Sequence, residues 1–487
     1  MLAAAAVLAA AAPGDPDPGF DVDGRRAFGY GGDDRATDVA LLPDGRVVVA
    51  GWTTVNADMA VTRLTRRGAF DAAFGEGGTS DVDVGGDDRA NAVAVQPDGK
   101  VVVAGRTLAR GGDMAVLRLR ADGSLDRGFG RGGIRTLGTS SGDAAYDVAV
   151  QPDGRIVVVG DGGPRADIAV ARLERDGSDD LGFGARGRAR VDLGEIELGS
   201  AVALQPDGRI VVAGATTRDD DIVVARLRRD GSRDRGFGRR GATTIDAGGA
   251  ESANAVAVQP DGMIVVAGST SSGGDMIVAR LRRDGSLDAG FDGDGLRRVD
   301  FGGEDIAFDV ALQRDGKIIV AGRAAREENM AVARLQPGGA LDTTFDRDGR
   351  LAVDFAGGKD TALGLVLQPD GRIVLAGSSD IQVAVARLEG DPPTAAAPRC
   401  AGRPATIVGT PRRDILRGTP RADVIAGLGG GDAIRGLGGA DILCGGRGPD
   451  LIDGGRGADR LFGGAGVDEC LGGPGRDRGS CERRRGV

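Results

Sequence analysis

The sequence predicts an all-β protein in two parts: a seven-bladed β-propeller of four-stranded blades, then a short parallel β-roll. Three observations predict it. A strand–turn–strand segment of the form QPDGRIVVAG recurs seven times at a spacing of 54 or 55 residues. The recurring elements are offset at the two ends of that array, so its first strand can complete its last unit. Towards the C-terminus a nine-residue period takes over, with an aspartate at every ninth position.

The turn glycines of the long repeat are Gly45, Gly99, Gly154, Gly208, Gly262, Gly316 and Gly371. In a P-D-G turn, proline presets φ and glycine accepts the positive φ that follows. Two further elements keep register with it. One is an AVARL-like strand ending at Leu64, Leu119, Leu173, Leu227, Leu281, Leu335 and Leu388. The other is a G-F-like turn carrying Phe20, Phe74, Phe129, Phe183, Phe237, Phe291 and Phe345. In the first full unit, DVALL, RVVVAG, MAVTRL and a segment near TSDVDV read as strands, because alternating apolar and β-branched residues suit half-buried strands. Four strands in a unit of this length mark a propeller blade.

The chain enters the array with a lone Phe20 turn and a strand near GRRAF, and leaves it after VAVARL with no such strand to follow. Placing the N-terminal strand in the last blade closes a ring and removes the open edge a solenoid would leave. The repeats resemble the delta-60 repeat family, whose units look like AVAVQPDGKIVVAG followed by D-x-A-V-A-R-L and a G-F-G turn. The resemblance spans about Gly19 to Glu389. It implies a β-propeller and brings no activity with it. The expected organisation is a leader-like segment at 1–12, the propeller at 13–389, a Pro/Ala-rich linker at 390–408, the roll at 409–481 and a tail at 482–487.

Composition narrows the chemistry. Glycine contributes 88 residues, aromatics 3%, and histidine is absent. Glycine at this level beside 41% hydrophobic residues reads as short strands and tight turns. Without histidine there is no Ser-His-Asp or Cys-His catalysis and no imidazole zinc site. A metal site must rest on oxygen ligands or on the four cysteines. The net charge of −10 argues against a nucleic-acid partner, which usually meets a basic face, although the Arg content allows local patches. The opening run MLAAAAVLAAAA is too short to span a bilayer and reads as a secretory signal cleaved near Ala12, although no Lys or Arg precedes it. No other stretch is long and apolar enough for a transmembrane helix. In an exported protein the even set Cys400, Cys444, Cys470 and Cys481 favours two disulfides, with three pairings open.

Three features of the propeller invite a functional reading. The first residue of each innermost strand would stand at a channel mouth: Asp38, Ala92, Asp147, Ala201, Ala255, Asp309 and Gly364. Three acids there would suit a cation, a basic ligand or acid–base catalysis; the plainer reading is solvated strand starts. The loops ahead of those strands, GGDDRA at Gly31–Ala36 and again at Gly85–Ala90, offer acids on one face or serve as polar glycine turns. The arginines Arg63, Arg118, Arg172, Arg226, Arg280, Arg334 and Arg387 read as ion-pair partners. Five of them follow an acid at −5, such as Asp58 and Asp113, whereas Asn329 and Gln382 hold that position in the last two. The seven phenylalanines read as core plugs.

In the nine-residue array the aspartates are Asp414, Asp423, Asp432, Asp441, Asp450, Asp459, Asp468 and Asp477. From Asp432 onward glycines stand five and two residues before each acid. An aliphatic residue follows two later at Leu416, Ile425, Ile434, Leu443, Ile452 and Leu461. The pattern resembles the hemolysin-type, or RTX, nonapeptide repeat, which implies a parallel β-roll that binds calcium. Two nonapeptides make one coil, so Asp414, Asp432, Asp450 and Asp468 line one side and Asp423, Asp441, Asp459 and Asp477 the other. Six to eight oxygens in a flexible cage suit calcium better than magnesium. Folding is then coupled to the ion, at an affinity of roughly 10⁻⁴ to 10⁻³ M. The first two turns lack the second glycine, and Cys470 and Gly479 replace the aliphatic residue at the far end. These departures make Asp414 and Asp423 weak candidates and Asp477 a candidate cap.

The sequence thus points to a secreted or cell-surface calcium-binding repeat protein. Its role would be structural and interactive, with an unknown protein or cell-envelope partner, and not enzymatic. The alternatives are a hydrolase or lyase using the channel carboxylates and a calcium-dependent adhesin.

Overall fold

The computed structural model describes residues 12–108, 112–138, 142–162, 167–194, 196–326, 328–355, 357–391, 398–409 and 413–485. The leader-like segment, apart from Ala12, and residues 392–397 of the expected linker lie outside the described residues. The chain divides into two compact units at Pro392/Pro393.

The first unit is a ring of seven four-stranded antiparallel sheets. In the first blade the strands are Asp34–Leu41, Val47–Thr53, Met59–Leu64 and Thr79–Val82, ordered from the channel outwards. The last blade is completed by Arg25–Phe28, which pairs with Gln382–Leu388 in the register Arg25↔Ala386 to Phe28↔Val383. Ring closure by the displaced N-terminal strand is therefore as the element order requires. The core lies between blades. Phe74 is fully buried among Val48, Ala50 and Val61 of its own blade and Val93, Val103 and Leu117 of the next.

Each inner strand carries a β-bulge against the second strand, as at Ala36/Asp38 and Ala90/Ala92. The glycine ending each VVVAG-type segment faces that bulge. A Cβ at Gly105 would fall onto the Arg89 carbonyl, so the repeat needs glycine for close backbone approach. Gly105→Ala is expected to lower propeller stability by about 3 kcal/mol or more. Gly338→Ala, which meets nothing within 4 Å, is expected to be neutral. Equal thermal midpoints for the two variants would contradict this account.

The second unit begins with a hairpin, Arg399–Cys400 with Arg403–Pro404, inside the stretch expected as linker. Two five-stranded parallel sheets follow, each strand pairing with the one 18 residues on, as in Ile434↔Ile452 and Leu443↔Leu461. Ile425, Ile434, Leu443, Ile452 and Leu461 point inward as a single buried column. Cys470 and Cys481 extend that column where aliphatic residues run out. The disulfides are Cys400–Cys444 and Cys470–Cys481.

Candidate functional site: an aspartate ladder and a propeller channel

The roll stacks its aspartates in two ladders, one along each side. On one side the Asp414, Asp432 and Asp450 amides donate to Oδ1 of Asp432, Asp450 and Asp468, at 2.8, 2.8 and 2.9 Å. On the other, the Asp423, Asp441 and Asp459 amides donate to Oδ1 of Asp441, Asp459 and Asp477, at 2.8, 2.9 and 2.9 Å. Oδ1 is thus spent on the coil. Oδ2 of Asp432, Asp441, Asp450, Asp459, Asp468 and Asp477 is buried without a hydrogen-bond partner.

Four of these orphaned oxygens face carbonyls. A Cβ added at Gly454 would lie 2.7 Å from Asp459 Oδ2 and 2.8 Å from the Gly472 carbonyl oxygen. Gly427, Gly436 and Gly445 have the same two kinds of oxygen about them. Only glycine leaves that space open, and it is lined by hard anionic and carbonyl oxygens, the donor set calcium takes. Burial, reinforced by neighbouring carboxylates, pushes Asp441 and Asp450 up to about 6. The residues therefore fit a divalent cation.

The ladder ends differ. Oδ2 of Asp423 is taken by the Thr419 amide and hydroxyl, at 2.6 and 2.9 Å. Asp414 lies beyond the first orphaned oxygen on its side and offers none itself. Past Asp468 the acceptor is Glu482 Oε2, 2.9 Å from the Asp468 amide. Sequence reading missed Glu482 because it stands 14 residues on, off the nine-residue period.

A family model described as a β-propeller domain of unknown function (DUF5122) matches residues 42–74, 96–129, 151–183, 205–237, 259–291, 313–345 and 368–391. A second, for the RTX calcium-binding nonapeptide repeat, matches 408–443 and 445–478. The chain carries DUF5122 β-propeller repeats followed by RTX repeats. Its RTX roll is a calcium-binding structural domain. No curated protein matches the chain. Among solved structures it is similar to the periplasmic gluconolactonase PpgL of Pseudomonas aeruginosa, at 17% identity over 63% of this chain and 83% of that one, TM-score 0.42. It is also similar to the gluconolactonase XC5397 of Xanthomonas campestris, at 15% identity over 73% and 98%, TM-score 0.37. A third is the polysaccharide lyase Uly1, at 11% over 76% and 92%, TM-score 0.41.

In the DUF5122 propeller the three channel acids are not at a mouth. Each inner strand begins about four residues earlier than DVALL suggests, so Asp38 sits mid-strand at the bulge, as do Asp147 and Asp309. Both carboxylate oxygens are engaged. Asp38 accepts the Val39 amide and, from the next blade, the Val93 amide, each at 2.7 Å. Asp147 spans Val148 and Val202, and Asp309 spans Val310 and Leu365. Burial outweighs these bonds and raises Asp147 and Asp309 to about 7. Asp38 is raised by burial and by Asp309 and Asp147. These carboxylates clip neighbouring blades together.

The arginines find other partners than the acids at −5. Arg172 Nε donates to Asp180 Oδ2 at 2.7 Å, its Nη1 to the Arg229 carbonyl of the next blade at 2.5 Å, and its guanidinium lies 4.5 Å from the Phe183 ring centroid. The acid at +8 plays this part for Arg63, Arg118, Arg226, Arg280 and Arg334, and Asp17 plays it for Arg387. All seven arginines stack on their phenylalanines at 4.5 to 4.9 Å. The acids ahead of the inner strands fold inward as loop clamps. Asp88 Oδ2 accepts the Val84 and Gly85 amides, and Asp305 Oδ2 the Phe301 amide.

Proposed function

We propose that this is an exported, calcium-stabilised interaction protein: a propeller platform whose C-terminal roll folds on meeting calcium outside the cell. The carrying observation is the row of buried, orphaned Oδ2 atoms, those of Asp432, Asp441, Asp450, Asp459 and Asp468 each beside a glycine. Asp432, Asp441, Asp450, Asp459 and Asp468 are the ligands we assign first. Asp477 follows at the capped end, and Asp423 and Asp414 contribute least. Extracellular calcium would fill sites of roughly 10⁻⁴ to 10⁻³ M affinity, and cytosolic calcium would not. Two disulfides and the leader-like first residues support export. A non-catalytic role is supported by the absence of histidine and by channel carboxylates whose oxygens all accept backbone amides.

The test is recovery of cell-envelope partners on the immobilised full chain with calcium and with chelator, beside calorimetric calcium titration. Calcium-dependent capture that Asp441→Asn/Asp450→Asn weakens is the expected result. Absence of any calcium heat, or capture indifferent to both chelator and the double variant, would overturn the reading.

A further inference from the structure

We propose that the junction between the first and second blades holds a divalent cation on Asp58, Asp83 and Asp88, independently of the RTX roll. Three chain segments meet there. Asp58 precedes the strand Met59–Leu64, Asp83 follows the outer strand Thr79–Val82, and Asp88 opens the next blade's inner strand, Asp88–Val95. Each offers a carboxylate oxygen, and the three oxygens lie within 4.8 Å of one another. A calcium ion at about 2.3–2.6 Å from each ligand spans such a set. Asp88 is fully buried, and while its Oδ2 accepts two amides, its Oδ1 has no partner.

The molecule supplies its own comparison. The same three positions are acidic at three further junctions: Asp167/Asp192/Glu197, Asp221/Asp246/Glu251 and Asp275/Asp300/Asp305. Two of these carry a built-in cation, Arg190 against Asp167 and Arg298 against Asp275. Both arginines occupy one register on the outer strand, Arg190 opposite Ala169 and Arg298 opposite Ile277. At the first junction that register, opposite Ala60, holds Asp81. A fourth carboxylate thus stands where neutralisation is expected, and among the described residues no Lys or Arg pairs with Asp58, Asp83 or Asp88. Burial and the charges of Asp83, Asp88 and Asp81 raise Asp58 accordingly. The Asp221 junction has neutral Thr244 opposite Val223, and both oxygens of Glu251 are hydrogen-bonded. Of the four acidic junctions among the described residues, the first alone combines excess charge, a buried orphaned oxygen and no internal cation.

The chain's one tryptophan reports on this site. Trp52 lies cross-strand from Met59, beside Asp58, and its ring packs 4.4 Å from the guanidinium of Arg89, beside Asp88. The roll contains neither Trp nor Tyr. Terbium ion added to the full chain, excited through tryptophan, therefore reads the propeller and not the roll. Sensitised emission that excess calcium displaces is the expected result. Asp58→Asn/Asp83→Asn should weaken terbium binding roughly tenfold or more, and Asp441→Asn in the roll should leave it unchanged. Should the double variant fail to fold, Asp81→Arg decides, because it copies the arginine of the other junctions and should abolish emission in a folded ring. No sensitised emission from the wild type, or emission surviving in a folded double variant or in Asp81→Arg, would overturn the proposal.

Discussion

Removing calcium from the intact protein is expected to unfold the roll, residues 398–485, and leave the propeller folded. The roll's apolar column is one residue wide per half-coil, too little to offset stacked charge. Six carboxylates each bury an oxygen with no partner, and such a group costs about 1–3 kcal/mol or more if charged. Asp441 and Asp450, raised to about 6, each oppose the metal-free fold at neutral pH by on the order of 2–3 kcal/mol. Their folded values exceed their unfolded ones. The fold therefore gains from their protonation below the ordinary carboxylate range and loses that gain as pH rises through about 6. In chelator, roll amides should exchange freely at pH 7.5 and become protected as pH falls towards 4, whereas with calcium they stay protected at pH 7.5. The propeller amides should change little in either condition, except at the first blade junction. Hydrogen exchange followed by mass spectrometry reads both parts at once. Roll protection that persists in chelator at neutral pH would contradict the coupling of fold and ion.

Much of this architecture is written in periods. The 54- or 55-residue repeat sets the blades, and the 18-residue coil follows from two nonapeptides. The offset between the Phe20 turn and the VAVARL strand sets ring closure. What periods do not carry is which side chains meet. Asp58 and Arg63 are five apart, and odd offsets along a strand face opposite sides, so they cannot pair. The partner at +8, Asp71, comes back through the G-F turn, and its Oδ2 lies 2.7 Å from Arg63 Nε. That left the acids at −5 free to gather at blade junctions, which no single repeat reveals because the three acids come from two blades. The place of the channel acids is hidden in the sequence for a related reason. The bulge opposite the second strand's glycine shifts register by one residue, and the inner strand continues past it. Glu482 is hidden because the chain leaves the nine-residue period to place Cys481 in the core.

Ring closure concentrates its charge on one residue. Asp17 is buried, and its Oδ2 accepts Arg387 Nε at 2.6 Å and lies 2.8 Å from Arg372 Nε. It does for the last blade what the acid at +8 does elsewhere, but it belongs to the N-terminal segment, so the pair fastens the two ends of the array. Asp17→Asn leaves the Arg387 guanidinium buried against Phe20 without its counterion, a loss of about 3–5 kcal/mol. For a ring of this size that is a fall in thermal midpoint of roughly 4–6 °C. Asp17→Asn/Arg387→Met removes the stranded charge and should recover part of the loss, which a purely additive contact would not allow. Burial opposes ionisation of Asp17, but the Gly19 amide, Arg387 and Arg372 together outweigh it and hold its pKa low. Its contribution is therefore present above the ordinary carboxylate range and lost only as pH falls through that lowered value. Scanning calorimetry at pH 7 and pH 3 should find the wild-type advantage over Asp17→Asn large at the first and reduced at the second. An Asp17→Asn midpoint within about 1 °C of wild type at pH 7 would mean that strand pairing alone closes the ring.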